Sequence, residues 1–465
     1  MDGTCIRLDE DDNIVDFISG RKFDFNNTNG CYKTVNIYKF SRHFSETHYI
    51  PFLDAYQKAL GENEYYEQVL RVVTMLDDAV IKGKRLDCQK WYEIDDVQDL
   101  DIAEAIFCLD IDEKVIKMEE RYGGYWRFAG LLDYCYLVNP YYPPQKMKDE
   151  MRASFDRLLR DYPSGMKVNS LLAAKNFSVR TENIVVGNGA AELIKSLLGF
   201  FDGKIGFIKP TFEEYPNRYD KDKAVIYQID NPDYSYTAED VKGFFDDKDI
   251  SVLVLINPDN PSGNYIKKTD LLSLIDWSAE KGIRIIIDES FADFSDELNN
   301  TLIDQEILEN HRNLYVMKSI SKSYGVPGLR LGVLVSGDVE MIKAIKKDVS
   351  IWNINSFAEF YMQIAEKYNK QYEDGLEEFR EERIRLEKEL SAVSGLRVIP
   401  SQANYFMIEL LNGSVRNVTK RLLTEYNLLV KDLYDKLGGK EYMRIAIRNK
   451  EDNDRLVKAL QKVLS

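Results

Sequence analysis

The feature that most constrains the fold of this 465-residue chain is a series of seven apolar runs of strand length between residues 182 and 336. Helical patterns separate several of these runs, which read "ENIVV", "KIGFIK", "AVIYQID", "ISVLVLI", "IRIIID", "LYVMKS" and "LGVLVS". Nearly continuous apolar strands that alternate with helices are typical of a mostly parallel sheet with both faces covered. The sequence therefore predicts an α/β, doubly wound domain.

The pattern differs on either side of this region. After residue 346, long charged helices flank short strands such as "YFMIEL" and "YMRIAIR", which indicates a smaller α+β domain. We expect four segments: a first module over residues 1–110, a linker helix and arm over 111–165, a large domain over 166–345 and a small domain over 346–465.

The first module has its own predicted elements. "CIRLDEDDNIVDF" is typical of a hairpin, "TVNIYKF" of a strand and "PFLDAYQKALG" of a short helix, while "LRVVTML" fits a strand or a helix. "KWYEIDDVQDLDIAEAIF" predicts a strand and then a helix that begins with acidic residues, and "DIDEKVIKMEERYG" predicts a charged helix.

Charge and hydropathy exclude several classes of function. The formal net charge is −16, and binding of nucleic acid requires a basic face, so we expect no nucleic-acid partner. The sequence has no apolar stretch of about 18 residues, which is the minimum for a membrane span. The start, "MDGTCIRLDE", lacks the basic and apolar regions of a signal peptide. We expect a cytoplasmic protein.

Metal-site and disulfide patterns are also missing from the sequence. The cysteines are odd in number and without CxxC spacing, so small buried hydrophobic side chains are the favoured interpretation; they are Cys5, Cys31, Cys88, Cys108 and Cys135. The three histidines do not cluster, which argues against metal-dependent or triad hydrolysis. We therefore predict no metal site.

One loop, "SISKSYGVPGLRLG", concentrates positive charge. It places Lys322 between two serines, with Arg330 eight residues further on. Two cations this close repel unless a strong anion lies between them, or unless one of them is not a free cation. The loop therefore predicts either an anion site or a covalently modified lysine.

Polar residues follow several of the predicted strands. Gly187, Gly189 and Ala190 lie where a strand turns into a helix, and free N–H groups at such a turn bind anions, although a tight turn alone also explains the glycines. Asp288 ends a strongly apolar strand, where a carboxylate needs a cation, a proton or a helix to cap. Tyr215 follows another strand and fits an ordinary core or surface tyrosine equally well.

The "NPDNPSG" loop follows a further apolar strand and contains Asn257 and Asn260. Its prolines fix the loop and its asparagines supply amide donors. A rigid turn is the alternative explanation.

Together these residues suit one small molecule. A lysine that forms a Schiff base with an aldehyde, a carboxylate that faces a protonated ring nitrogen and a cup for phosphate are what pyridoxal 5′-phosphate requires. The sequence thus predicts this cofactor.

At this point residues 130–465 resemble a known family. The ordered motifs "GNGAAE", "PTFEEY", "NPDNPSG", "DESF", "SISK", "GLRLG" and "MRIAIR" are similar to those of fold-type I pyridoxal-phosphate enzymes of the class I/II aminotransferases. Within that family the chain is most similar to histidinol-phosphate aminotransferases and threonine-phosphate decarboxylases. The resemblance implies a large doubly wound domain and a small α+β domain.

The resemblance also implies a role for each matching position. Lys322 matches the lysine that bonds the cofactor, Asp288 the partner of the ring nitrogen, Asn260 the donor to the ring 3-oxygen and Tyr215 the aromatic side chain stacked on the ring. The implied phosphate cup consists of Gly189, Ala190, Ser319, Ser321 and Arg330.

The remaining implied roles concern the substrate and the subunit partner. Arg444 matches the arginine that clamps the substrate carboxylate, and Asn139 lies in a segment resembling the arm that closes over the substrate. Tyr162 matches a tyrosine that reaches the partner's cofactor phosphate, which implies a homodimer.

Several positions depart from the family pattern. Phe291 stands where the family usually has a tyrosine. The phenylalanine cannot make the tyrosine's hydrogen bond to the cofactor 3-oxygen, and its presence favours the decarboxylase branch. Ala191 replaces an aspartate, and Lys431 replaces an arginine of phosphate-substrate relatives. Arg448 and Arg218 are further cations for a distal anion, although ordinary surface charges are the favoured interpretation.

The first module faintly resembles the final strand and helix of sugar- and alcohol-phosphate nucleotidyltransferases. Asp95 would match a carboxylate that helps to hold magnesium, but the glycine-rich nucleotide loop of that family is missing from the sequence. We expect this module to be catalytically silent, as part of a longer bifunctional protein or as a remnant.

Four functions follow from these patterns. The leading hypothesis is amino-group transfer between an amino acid, or an amino acid phosphate, and a 2-oxo acid. The alternative is decarboxylation of an amino acid phosphate such as phosphothreonine or phosphoserine. A binding module without chemistry is disfavoured because the lysine, aspartate and arginine set is intact. A nucleotidyltransferase is disfavoured because the glycine-rich nucleotide loop is missing.

Overall fold

The computed structural model describes residues 3–20, 23–25, 27–61, 63, 65–86 and 89–465. The chain forms two compact units, an N-terminal unit (Met1–Phe128) and a C-terminal unit (Ala129–Ser465). The N-terminal unit therefore extends past residue 110, while the subdivision of the rest of the chain stays a prediction.

The N-terminal unit contains a three-stranded antiparallel sheet in the order β2-β1-β3. Its strands are β1 (Cys5–Leu8), β2 (Ile14–Ile18) and β3 (Cys31–Lys33). Its helices are α1 (Arg42–Phe44), α2 (Ile50–Leu60), α3 (Glu67–Val73), α4 (Val97–Phe107) and α5 (Ile111–Glu119), with a π-helical turn at Ser45–Tyr49. The predicted hairpin and the helices α2, α4 and α5 are confirmed, and "LRVVTML" contributes to helix α3.

Two predicted strands of this unit are wrong. Residues 34–40, the "TVNIYKF" run, form no strand, and neither do residues 90–95 before helix α4. The aromatic side chains of the first run pack on one another instead: the rings of Tyr38 and Phe40 lie 6.1 Å apart and those of Phe40 and Phe44 lie 5.1 Å apart. Packing of these rings buries apolar area without the pairing that a strand requires.

The C-terminal unit is built on a seven-stranded sheet in the order β5-β11-β10-β9-β8-β6-β7. The strands are β5 (Ile184–Asn188), β6 (Ile205–Lys209), β7 (Ala224–Gln228), β8 (Val252–Ile256), β9 (Arg284–Asp288), β10 (Leu314–Ser319) and β11 (Leu331–Ser336). Each predicted apolar run forms one of them. Only β11 runs antiparallel to its neighbours, so the predicted mostly parallel sheet is confirmed.

Both faces of this sheet are covered. Ile285 and Ile287 of β9 join one apolar core with helices α8, α11, α12 and α13, whereas Ile286 joins another core with α9 and α15. These helices are α8 (Met166–Phe177), α9 (Ala190–Gly199), α11 (Ala238–Phe245), α12 (Lys268–Glu280), α13 (Gln305–Asn310) and α15 (Val339–Asp348). Successive strand residues point to opposite faces, so a continuous apolar run is what a doubly covered strand requires.

The remaining elements form the ends of the unit. A four-stranded sheet has the order β12-β13-β16-β15, and β4 pairs with β14. These strands are β4 (Leu132–Asp133), β12 (Leu396–Val398), β13 (Tyr405–Leu410), β14 (Leu428–Leu429), β15 (Lys431–Asp432) and β16 (Tyr442–Ala446). The other helices are α6 (Gln145–Ala153), α7 (Phe155–Arg160), α10 (Glu214–Asn217), α14 (Ile320–Ser323), α16 (Ser356–Ile364), α17 (Asn369–Ser391), α18 (Val415–Tyr426) and α19 (Lys450–Leu464).

The topology fixes where functional residues can meet. Strands β5, β6, β8, β9 and β10 run in the same direction, so their carboxyl ends share one edge of the sheet. Ligands of open α/β sheets bind at that edge. The segments that follow these strands begin at Gly189, Pro210, Asn257, Glu289 and Ile320.

Candidate active site

Lys322 lies in α14, the turn that follows β10 at this edge. Its carbonyl oxygen accepts hydrogen bonds from the N–H groups of Asn139 (3.0 Å) and Gly325 (3.2 Å). The side chain is half-buried, and its enclosure, with the nearby guanidinium groups of Arg444 and Arg330, lowers the pKa of the Lys322 amine to about 8. An amine with this pKa is partly neutral near neutral pH, which a nucleophile or a proton carrier requires.

Asp288 ends β9 as a fully buried carboxylate with two donors. The Tyr215 hydroxyl donates to Oδ2 at 2.8 Å, and the Ser290 N–H donates to Oδ1 at 2.9 Å. Burial raises the pKa of Asp288, and these hydrogen bonds partly oppose that rise. Burial and the adjacent carboxylate raise the pKa of Tyr215 as well. A buried carboxylate of this kind favours a positively charged partner.

Gly189, Ala190 and Arg330 lie together beside the start of helix α9. Gly189 has a φ of +73° and is the N-cap residue of α9, while Ala190 is the first helical residue. This positive φ favours glycine, and a Cβ atom at Gly189 would also displace the Arg330 guanidinium. The exposed N–H groups of the helix start and the guanidinium together favour an anion.

Ser319 and Ser321, two of the three serines of the lysine loop, are buried. The Ser319 N–H donates to the Ser290 hydroxyl at 2.9 Å. The Ser321 hydroxyl finds no hydrogen-bond partner among the residues that the structure describes. An unsatisfied buried hydroxyl costs about 1–3 kcal/mol, so a ligand that accepts from it would be stabilising. The residues present therefore fit a phosphate group.

Arg444 of β16 points to the same site. Its Nη1 donates to the Asn260 side-chain oxygen at 2.6 Å and its Nη2 donates to the Cys135 carbonyl at 2.8 Å. Its Nε is buried and has no partner among the described residues. Burial lowers the pKa of this guanidinium. Arg444 can therefore offer a further donor to an anionic substrate.

The family assignment follows from this arrangement and from the chain's similarity to known proteins. Residues 133–460 match the family "Aminotransferase class I and II". The chain belongs to this family. It is a pyridoxal-phosphate-dependent enzyme, with pyridoxal 5′-phosphate as its cofactor.

Two curated relatives and one solved structure illustrate the range of the class I and II aminotransferase family. A CMP-5′-(3-aminopropyl)phosphonate synthase from Streptomyces rubellomurinus is 30% identical over 470 residues, which cover 99% of this chain and 73% of that protein. An L-serine phosphate decarboxylase from Sulfurospirillum multivorans is 33% identical, and the aligned region covers 72% of this chain and 88% of the decarboxylase. The structure of the histidinol-phosphate aminotransferase from Clostridium acetobutylicum has a TM-score of 0.64 and is 27% identical in sequence. The match covers 72% of this chain and 99% of the aminotransferase chain.

Three other predicted site residues of this aminotransferase-family chain are Asn139, Lys431 and Tyr162. Asn139 is buried and its side-chain N–H donates to the Ser323 carbonyl at 2.8 Å, so it braces the lysine turn. Lys431 pairs with Arg444 across β15 and β16, which puts both side chains on one face. Tyr162 is 78% exposed and stacks on Trp352 with ring centroids 4.5 Å apart. The roles of all three stay predictions.

The departures from the family pattern have structural explanations. Phe291 is buried and packs edge-on against Tyr405 at 5.2 Å, so it is a core residue. Arg448 pairs with Asp452 at 2.8 Å and Arg218 with Glu214 at 2.8 Å. Arg448 also donates to the Asp133 carbonyl at 3.0 Å, and the interpretation of both arginines as ordinary charges stays a prediction.

The sequence interpretation missed two residues beside Asn260. Asp259 is fully buried and accepts from the Tyr236 hydroxyl (2.9 Å), the Thr211 hydroxyl (3.2 Å) and the Asn260 N–H (2.7 Å). Burial raises the pKa of Asp259 to about 7 despite these hydrogen bonds. Its position inside the quoted "NPDNPSG" motif was the available signal.

Lys436 is the second missed residue. Its ammonium donates to the Thr211 carbonyl and lies 3.8 Å from Glu213, and its side chain is 25% exposed. Burial lowers the pKa of Lys436 to about 8, a fall that Glu213 opposes and Arg444 reinforces. No sequence motif marks it, because the contacts come from the folded loop that follows β6.

Lys318 forms a separate buried ion pair behind the lysine turn. Its ammonium donates to Asp293 Oδ1 at 2.6 Å, and Asp293 Oδ2 accepts from the hydroxyls of Ser323 and Tyr372. Glu289, also fully buried, accepts from the Thr301 hydroxyl and the Leu302 N–H. These groups connect β10 with helix α17 and supply structure rather than chemistry.

The described part of the chain shows neither a metal-ligand cluster nor a membrane-spanning helix. Over those residues no group of three or more His, Cys, Asp or Glu side chains is arranged to hold a metal ion. No described helix is long and apolar enough to span a bilayer. Cys5, Cys31, Cys108 and Cys135 form no disulfide with any described residue, and Cys88 lies outside the described residues.

Proposed function

We propose that this enzyme removes the carboxylate of an amino acid that carries a second anionic group, a phosphate or a phosphonate. The supporting observation is the pair of cations Arg444 and Lys436 on one hydrogen-bonded network. Arg444 bonds to Asn260, Asn260 bonds to Asp259, and Asp259 bonds to Thr211, whose carbonyl holds Lys436. Two cations that share this network suit a substrate with two anions.

The cofactor site and the substrate site divide the cations between them. Arg330, with Gly189, Ala190, Ser319 and Ser321, would hold the cofactor phosphate, and Asp288 would hold the positive charge of the ring nitrogen. Arg444 and Lys436 then remain for the substrate. When bound, pyridoxal 5′-phosphate supplies an electron sink for whichever Cα bond stands perpendicular to its ring.

The chain's own residues decide which bond that is. Arg444 can clamp an anion through its fork, and Lys436 can bind a second anion as a point charge. Holding both ends of the substrate fixes rotation about Cα, which converts binding energy into orientation. The Lys322 amine, with a pKa of about 8, can deliver a proton to Cα after carbon dioxide leaves.

Two further observations support decarboxylation over amino transfer. Phe291 occupies the position where the family usually has a tyrosine, and it lies in the core. The L-serine phosphate decarboxylase named above covers most of the C-terminal unit at 33% identity.

Amino transfer is the second candidate function. The favouring observation is the set Lys322, Asp288, Asn260 and Arg444, which serves both reactions. The solved histidinol-phosphate aminotransferase, which is 27% identical, shares the fold.

Product analysis tests the proposal. The holoenzyme is incubated with O-phosphoserine, O-phosphothreonine or histidinol phosphate, with and without a 2-oxo acid. We expect carbon dioxide and an amine phosphate from one of the first two substrates without any oxo acid. Consumption of the oxo acid with no release of carbon dioxide would instead establish amino transfer.

We also propose that the enzyme is a cytoplasmic homodimer. Exposed apolar side chains cluster near Tyr162, since Tyr162 stacks on Trp352 and Phe155 packs against Phe357 at 5.4 Å. Leu159 and Ile351 of the same region are 68% and 76% exposed. Such a patch favours burial against a second copy. Light scattering of the holoenzyme should give twice the chain mass, and Trp352→Asp should reduce it to the mass of one chain.

A further inference from the structure

The N-terminal unit contains a cavity of about 1200 Å³ that the proposed function does not use. One wall comes from the sheet, with Ile6, Leu8, Ile14 and Tyr32. The other walls come from residues 33–48 and residues 78–86. All of these lining residues lie within the N-terminal unit, so the cavity is complete without the C-terminal unit.

The charge of the lining is opposite to that of its surroundings. Residues 1–128 contain 26 acidic and 16 Lys or Arg residues. The cavity lining nevertheless holds five of the cations, two histidines and a single carboxylate, and these are Lys33, Lys39, Lys82, Lys84, Arg85, His43, His48 and Asp78. Segregation of positive charge in an acidic unit focuses the field on an anionic ligand.

The five cations differ in their partners, and Lys82 interacts electrostatically with Asp9. Lys33 pairs with Glu93, and Arg85 pairs with Asp12 at 3.3 Å. By contrast, Lys39, Lys82 and Lys84 form no ion pair with any residue that the structure describes. The only acidic lining residue, Asp78, lies 3.2 Å from the His48 ring. The cavity therefore has more positive charge than its own residues neutralise.

The segment with Lys82 and Lys84 is fixed to the sheet. The Ile14 N–H donates to the Ile81 carbonyl at 2.7 Å, and the Gly83 N–H donates to the Asp12 carbonyl at 2.8 Å. Gly83 lies so close to the sheet that a Cβ atom there would come within 2.7 Å of the Leu8 side chain. This attachment holds the two lysines on either side of Gly83 at the cavity wall.

The lining also contains aromatic side chains that pack on one another. Phe40 packs against Phe44 at 5.1 Å, Tyr38 lies 6.1 Å from Phe40, and Phe44 stacks on His48 at 5.4 Å. Aromatic faces bind apolar or planar groups. Cations and aromatic rings that line one cavity thus suit a ligand with an anionic end and an apolar or aromatic end.

We propose that this cavity binds a small organic phosphate or phosphonate with an apolar or aromatic part. Lys39, Lys82 and Lys84 contact the anionic end, and Tyr38, Phe40 and Phe44 contact the other end. The site is separate from the Lys322 site and does not depend on the function proposed for it.

Equilibrium binding to the holoenzyme tests the inference. Isothermal titration calorimetry is done with phenyl phosphate, inorganic phosphate and polyglutamate as probes. We expect phenyl phosphate to bind about tenfold more tightly than inorganic phosphate, because the ring adds apolar contact. Equal affinity of the two phosphates, or tighter binding of polyglutamate, would overturn the proposal.

Matched double variants locate the site. Lys82→Ala with Lys84→Ala removes two cavity cations, and Lys58→Ala with Lys90→Ala removes two exposed cations elsewhere in the unit. We expect the first variant to bind phenyl phosphate about tenfold more weakly and the second to bind as the parent does. Equal affinities in the two variants would contradict the assignment.

A second measurement guards against misfolding of the variants. Hydrogen exchange of the parent protein should slow in residues 34–44 and 81–86 when phenyl phosphate is added. Slowing confined to the C-terminal unit would place the probe at the other site and refute the inference.

Discussion

Two regions of this molecule gather positive charge, and they do so by different means. Around Lys322, two of the cations are enclosed: Lys318 is 2% exposed, and the amine of Lys322 has a pKa lowered to about 8. In the cavity of the N-terminal unit, Lys39, Lys82 and Lys84 are exposed to solvent. Enclosed charges must be matched by fixed partners, whereas exposed charges are solvated and screened. Substitutions should therefore have large effects in the first region and small effects in the second.

The largest expected effect is at Lys322. Lys322→Ala removes the amine that bonds the cofactor and moves protons, so we expect kcat to fall by about 10³-fold or more. Visible absorbance of the purified protein with added pyridoxal 5′-phosphate, together with kcat, measures this. Lys343→Ala, an exposed substitution on α15, should leave both values at those of the parent.

Lys318 tests whether enclosed charge also controls stability. Lys318→Ala leaves Asp293 and Glu289 buried without their cation, and breaking a buried pair in this way costs about 3–5 kcal/mol of unfolding free energy. Urea unfolding measures the loss. A change below about 1 kcal/mol would show that this region tolerates unpaired charge as the surface does.

Arg444 tests geometry at constant charge. Arg444→Lys keeps the cation but loses the guanidinium fork that bonds Asn260 and Cys135. We expect kcat/KM to fall about 30-fold, which corresponds to a loss of about 2 kcal/mol of transition-state stabilisation. Steady-state kinetics with the substrate identified by product analysis measures it. An unchanged kcat/KM would mean that charge alone is sufficient there.

The pH dependence of cofactor uptake measures the enclosure of Lys322. The folded pKa of about 8 is below the ordinary 10.5, so the reactive neutral amine predominates above about pH 8. The rate at which cofactor-free protein takes up pyridoxal 5′-phosphate should rise about tenfold per pH unit below 8 and then level off. In Arg330→Gln, which removes a neighbouring cation, the levelling should move to higher pH. A rate still rising at pH 10 in the parent would contradict the lowered pKa.

The smallest expected effect is at Lys84. Because this side chain is exposed and forms no ion pair with a described residue, Lys84→Ala should change the unfolding free energy by less than about 0.5 kcal/mol. Any weakening of phenyl phosphate binding should diminish as salt is raised, since exposed charges are screened. If Lys84→Ala lost as much stability as Lys318→Ala, the cavity of the N-terminal unit and the region around Lys322 would not differ in their sensitivity to loss of charge.

Much of the C-terminal unit could be predicted because its signals are local. Each of the seven apolar runs forms a strand, and parallel topology then brings the segments after β5, β6, β8, β9 and β10 to one edge. Asp288 ends β9, and Asn260 and Lys322 lie in the segments after β8 and β10, so the sequence order of the motifs was sufficient to place them together.

Other features could not be predicted because they depend on distant parts of the chain. Lys436 acquires its partners from a loop more than 200 residues earlier. "TVNIYKF" has the composition of a strand, yet its rings pack on one another and on Phe44 instead of pairing in the sheet. The cationic cavity is assembled from residues 6–14, 32–48 and 78–86, which are separated in sequence.

The sequence by itself determined the fold class of the C-terminal unit, the family and the cofactor, because periodicity and ordered motifs are properties of neighbouring residues. Only the tertiary structure decided how Asp259 and Lys436 join the site and that Lys39, Lys82 and Lys84 line one cavity. The reason is that burial and electrostatic fields depend on which distant residues meet, and the fold alone sets those distances.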